Sequence, residues 1–86
     1  MLYRITEEGK SYLRTNPYNR HWTYVPAVPR PEEVMWRILY RLEPRPKTEA
    51  EIRRVIGIVG QKDYTGAFRK AMRGAFEAGY IEQGIR

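Results

Sequence analysis

The spacing of apolar residues changes several times along the chain, and each change marks an element. Leu2–Ile5 is a short, mostly apolar run that reads as a strand, and Thr6 follows it in the manner of a helix N-cap. Glu7 and Glu8 then occupy a first turn, where carboxylates suit the helix dipole, and Tyr12 and Leu13 give this helix a small apolar face. Gly9 weakens it, and Pro17 disfavours helix at Asn16, so the helix is expected to end near Thr15. Residues 16–30 lose all periodicity. Pro17, Pro26 and Pro29 alternate with Tyr18, His21, Trp22, Tyr24 and Val25, the composition of a stiff loop that wraps over a domain.

Three further helices are expected in residues 31–86. Pro31–Leu42 opens with proline at its first position and two glutamates, and it carries Val34, Ile38 and Leu42 on one stripe, widened by Met35 and Leu39. Pro44 and Pro46 stop it. Thr48 and Glu51 form the Thr-x-x-Glu signature of a capping box for a second helix. In that helix Ile52, Val55 and Ile56 (with Val59) face inward and Arg53 and Arg54 face out, and Gly57 and Gly60 bracket its end. The third helix is expected from Asp63 or Tyr64 to Ala78, with Asp63 as N-cap and Phe68, Met72, Ala75, Phe76 and Gly79 along one buried face. Gly79 fits a left-handed C-terminal cap, and Tyr80–Glu82 read as a final strand.

Composition narrows what this arrangement can be. The chain has 86 residues, enough for one small domain and one core, and 42% of them are hydrophobic, an ordinary globular fraction. It has no cysteine and a single histidine, which rules out disulfides and thiolate chemistry and leaves no expectation of a zinc site. No apolar run approaches membrane-spanning length and no signal-peptide core is present, so a soluble, cytoplasmic protein without membrane association is expected. The net charge is +6, and most of it lies between Arg45 and Arg73, where eight basic residues face three acidic ones. A concentrated basic segment fits a polyanionic partner; a merely arginine-rich solvated surface is the plainer alternative.

The order helix, capped helix, glycine-containing turn, basic amphipathic helix and strand is what major-groove reading requires: one apolar face for the core and one positive face for phosphates and base edges. Within it, AFRKAMRGAFEAGYIE resembles the recognition helix and first wing strand of winged-helix proteins. YRITEEGKSYL is similar to the last wing strand and following helix of MarR- and PadR-type regulators. The resemblance implies an α+β fold, a small winged-helix-like domain spanning 1–86. It would have a helix-turn-helix core and final strand in residues 31–86, preceded by a strand and helix in residues 1–15. The strand order departs from the family, because the last wing strand comes first. Leu2–Ile5 is therefore expected to pair antiparallel with Tyr80–Gly84, either within one permuted chain or by a swap between two copies.

The candidate nucleic-acid-binding residues are Lys62, Tyr64 and Thr65 near the start of the third helix, Arg69, Lys70 and Arg73 along its exposed face, and Arg53 and Arg54 on the second helix. The expected function is double-stranded DNA binding in transcriptional regulation, for which a homodimer is compatible. The alternative is a protein-interaction adaptor that meets an acidic partner with its basic face and aromatic loop. RNA binding is a third, weaker reading. Tyr12, Tyr18, Tyr24, Trp36 and Tyr40 fit a pocket, but core or interface packing explains them as well. The two Glu-Glu pairs sit at helix starts and are dipole partners, and no nucleophile–base set can be drawn. Neither catalysis nor a cofactor is expected.

Overall fold

The structure, a computed structural model, describes residues 2–18, 31–56 and 62–84, with side chains from Gly66 onward in the last segment. In chain order the elements are strand β1 (Leu2–Ile5), helices α1 (Glu7–Thr15) and α2 (Pro31–Leu42), strand β2 (Lys47–Thr48), helices α3 (Glu49–Val55) and α4 (Lys62–Glu77), and strand β3 (Ile81–Gly84). Among the described residues, four helices pack against a three-stranded antiparallel sheet in the order β2-β1-β3. This is a small α+β fold.

The pairing expected between the two ends is present and closes within one chain: Leu2 lies opposite Gly84, Tyr3 opposite Gln83, Arg4 opposite Glu82 and Ile5 opposite Ile81. Arg4 and Glu82 add a cross-strand ion pair at 2.7 Å, exposed on both sides and therefore of small energetic weight. The third strand was not expected. Lys47–Thr48 pairs with Leu2 and Tyr3, a two-residue bridge too short to carry any period. It makes β1 the central strand. It also buries Lys47, which is 7% exposed, and so withdraws one cation from the basic segment.

The core lies between α2 and α4. Ile38, Leu39, Leu42, Ile52 and Phe68 are its largest fully buried side chains, and burial of each contributes about 1.5–3 kcal/mol of hydrophobic stabilisation. On α4 the small residues Ala67, Ala71 and Ala75 alternate with Phe68 and Met72, so that backbone and bulky side chains both reach the core. Two expectations for this helix need correction. It begins at Lys62, so Asp63 lies inside the first turn rather than at the cap, a position that still suits a carboxylate. Phe76 is 38% exposed; it leaves the buried stripe to meet the Tyr3 ring edge-on at 5.6 Å, covering the sheet.

The helix termini follow their local chemistry. Gly79 has φ +78°, the Gly79 N–H donates to the Phe76 carbonyl and the Tyr80 N–H to the Ala75 carbonyl, which together form a Schellman cap. At the start of α1 the Thr6 hydroxyl accepts from the Gly9 N–H at 3.1 Å and donates to the Gly79 carbonyl, while the Thr6 N–H donates to the Tyr80 carbonyl at 2.9 Å. One threonine thus caps α1 and ties it to the end of α4. Thr48 completes the capping box of α3, accepting from the Glu51 N–H at 3.2 Å while its own N–H donates to the Glu51 carboxylate at 2.8 Å. Replacing Thr48→Ala is expected to cost about 1 kcal/mol, read as a fall in thermal midpoint of about 4–8 °C.

Of the loop expected at 16–30, residues 16–18 lie on α2: the Trp36 indole N–H donates to the Asn16 carbonyl at 2.6 Å and the Tyr18 ring meets Trp36 edge-on at 5.2 Å. The remaining loop aromatics, His21 among them, and the glycine turn at Gly57 and Gly60 lie outside the described residues.

Candidate nucleic-acid interface

Three cations define the outer face of α4. Arg69, Lys70 and Arg73 are all exposed, opposite the stripe that carries Ala67, Phe68, Ala71 and Ala75 inward. None of them makes an ion pair with a carboxylate among the described residues. On each of the other helices one of the two described cations is paired. Lys10 has Glu7, Arg37 has Glu33 at 2.8 Å, and Arg53 has Glu49 at 3.2 Å, each one turn away on its own helix. Among the described residues Arg14, Arg41 and Arg54 also lack a carboxylate, but the cation nearest each in its own helix is one of these paired ones. On α4, Arg69 and Lys70 each stand one turn from Arg73, and such like-charge spacings destabilise a helix by about 0.2–0.5 kcal/mol apiece. Glu77 is the acidic residue on the same exposed side, near the end of the helix.

Two contacts fix the attitude of this face. At its C-terminal end the Thr6 bonds to Gly79 and Tyr80 described above hold α4 to α1 and the sheet. On the α3 side, the Arg53 guanidinium lies 4.3 Å from the centre of the Phe68 ring while bonding the Glu49 carboxylate. Arg53 was expected to face out. Its side chain is instead only 27% exposed and joins α3 to α4, because the i, i+4 carboxylate and the aromatic face together outweigh solvation. Arg54, beside it, is exposed. Lys62, Tyr64 and Thr65 lie in the first turn of α4, and their side chains fall outside the described residues. The structure therefore gathers Arg69, Lys70 and Arg73 on one face and gives Arg53 a positioning contact.

Reading the sequence alone missed that contact; the cue was the Glu49–Arg53 spacing, which marks a side chain already engaged. Arg45 is drawn toward the box as well, 3.7 Å from the Glu51 carboxylate. The Thr48 backbone N–H holds the Glu51 carboxyl below the usual glutamate range; loss of solvation opposes it, and Arg45 and the Thr48 hydroxyl add to the lowering. A depressed folded-state value means that this contribution is fully present above the ordinary glutamate pKa and is lost as pH falls through the lowered one. Carboxyl titration followed by NMR is expected to place the Glu51 midpoint below the ordinary glutamate value; a midpoint at or above that value contradicts the box.

A second surface lies on the outside of α2. Trp36 and Tyr40 stack at 5.2 Å with their planes 13° apart, Tyr40 is 53% exposed, and with Tyr18, Arg37, Arg41 and Val55 they line an open groove of about 200 Å³. Tyr12 is not part of it. Its ring packs on Tyr80 at 4.7 Å, and burial, then Tyr80 and Glu32, push its phenol above the usual tyrosine value. Among the described residues, no helix is long and apolar enough to cross a membrane. Comparison with known proteins gives no match: no family model, no curated protein and no solved structure matches this chain.

Proposed function

We propose that the chain is a winged-helix-like domain that binds double-stranded DNA through the exposed face of α4, as a regulator of transcription rather than an enzyme. One observation carries the proposal. Arg69, Lys70 and Arg73 crowd one exposed helix face and none of them pairs with a carboxylate among the described residues, Glu77 on that side included, while each of the other helices pairs one of its two described cations with an acid. Counterion release on meeting phosphates rewards this arrangement, and a helix presenting such a face has the width of the major groove. The intramolecular β1–β3 pairing supports the resemblance in permuted strand order, since it supplies the contact that the unusual order demands. Arg53 then acts as a positioning residue and Arg54 as a backbone-charge contact. The proposed setting is the cytoplasm, with a homodimer matching two-fold sites.

The second reading, a protein-interaction adaptor, draws on the stacked Trp36–Tyr40 pair beside Arg37 and Arg41, an aromatic and arginine pairing suited to a partner's surface. Titration of the protein with duplex DNA and with hairpin RNA at several salt concentrations separates the readings. Duplex binding whose logarithm falls linearly with log salt is expected. No duplex binding near physiological salt refutes the proposal, and saturable binding to RNA alone transfers the basic face to RNA.

A further inference from the structure

Gly66 sits in the α4 interior, on the exposed side of the helix. A Cβ built on it meets nothing within 4 Å, so no contact among the described residues requires glycine there. Among the other described glycines, a Cβ on Gly9 or Gly84 meets backbone and Gly79 has positive φ, while one on half-buried Gly74 makes only ordinary contact with the Met35 sulfur at 4.0 Å. Glycine in a helix interior is also unfavourable in itself, because the unfolded chain gains freedom that alanine would deny it. The position is surrounded by charge. Arg69 and Lys70 lie three and four residues further on, so they flank Gly66 on the next turn, and Arg73 lies one turn beyond them on the same exposed side.

We infer that Gly66 is a notch in the basic face, the point where the α4 backbone comes closest to a phosphodiester strand of the duplex. A missing side chain lets the helix seat against that strand while Arg69 and Lys70 reach its phosphates from the adjoining turn. This rests on the duplex-binding reading above and adds to it a contact made by shape instead of charge. Shape and charge leave different signatures. Filling the notch blocks approach but leaves every cation in place, so affinity falls while the number of released counterions is nearly kept.

The test uses the full chain with Gly66→Ala and Gly66→Leu, measuring thermal midpoint and duplex affinity across a salt series beside Arg69→Ala/Arg73→Ala. Both glycine variants are expected to melt higher than the parent, by about 3–8 °C for alanine. Duplex affinity is expected to fall about tenfold for alanine and further for leucine, at an unchanged salt slope. Parent-like affinity in both variants overturns the inference, and so does a lower melting point for alanine, which assigns the glycine to the fold. If the arginine variant weakens binding and the glycine variants do not, only the notch is refuted. If the parent itself fails to bind duplex, the duplex reading falls and the notch with it.

Discussion

Replacing Gly9→Ala is expected to destabilise the domain by about 2 kcal/mol net, although alanine is the better helix former. On intrinsic propensity the change favours α1 by about 1 kcal/mol. The tertiary contact opposes it. A Cβ at this position lies 2.3 Å from the Tyr80 carbonyl oxygen and 2.6 Å from Cγ1 of Ile5. The Ile5 side chain can turn; the Tyr80 backbone has little freedom to do so. Its carbonyl accepts from the Thr6 N–H and its own N–H closes the Schellman cap of α4, so moving it disturbs α1, α4 and the β1–β3 pairing together. Overpacking against such a fixed group costs about 3 kcal/mol, which leaves the net loss after the propensity gain. For a domain of this size the thermal midpoint falls by about 8–16 °C, measurable by circular dichroism. An unchanged or raised midpoint contradicts the close packing of α1 on the α4–β3 turn. Gly9 and Gly66 thus carry opposite expected signs for one chemical change, decided by what lies beyond the missing methyl group.

The second large effect concerns binding. Arg69→Ala combined with Arg73→Ala is expected to weaken duplex affinity by about ten- to a hundredfold, about 1.4–2.7 kcal/mol. It is also expected to reduce the slope of log affinity against log salt by about 1.8, from two lost phosphate contacts. Stability should hold or rise slightly, because the like-charge spacing of Arg69 and Arg73 disappears and both side chains are exposed. The control is Lys10→Ala combined with Arg14→Ala, which removes the same charge from α1. A long-range effect of net charge predicts equal losses for both pairs, whereas a local interface predicts a loss for the α4 pair alone. Parent-like affinity and slope in the arginine pair removes α4 from the interface.

Much of this fold was legible because the signals were local. Pro31 with Glu32–Glu33, the Thr48–Glu51 box, the Thr6 cap and the left-handed Gly79 each act within a few residues of chain, and the structure shows each in place. The pairing of β1 with β3 was legible for another reason: a strand needs a partner, and the chain offered one at its far end. What escaped depends on contacts distant in sequence. Gly9 reads as a weak point of a helix until Tyr80 is set against it. Arg53 reads as a surface cation until the Phe68 ring lies beneath it. Phe76 has helical spacing for the core but serves the sheet by covering Tyr3, and β2 is too short for its residues to announce it. The basic face was legible from spacing alone, because exposed positions of a long helix follow from the positions that are buried. Its lack of acidic partners among the described residues was not, since that required locating the carboxylates of the other helices.

Whether the outer face of α4 meets the duplex can be read from backbone amide shift mapping. Isotope-labelled protein is titrated with a short DNA duplex at low salt. Contact through α4 places the largest shifts on Gly66, Arg69, Lys70 and Arg73 and leaves α1 and the Trp36–Tyr40 surface nearly unmoved. Shifts concentrated on Trp36, Tyr40 and Arg41 with α4 silent, or no shifts anywhere, would contradict it.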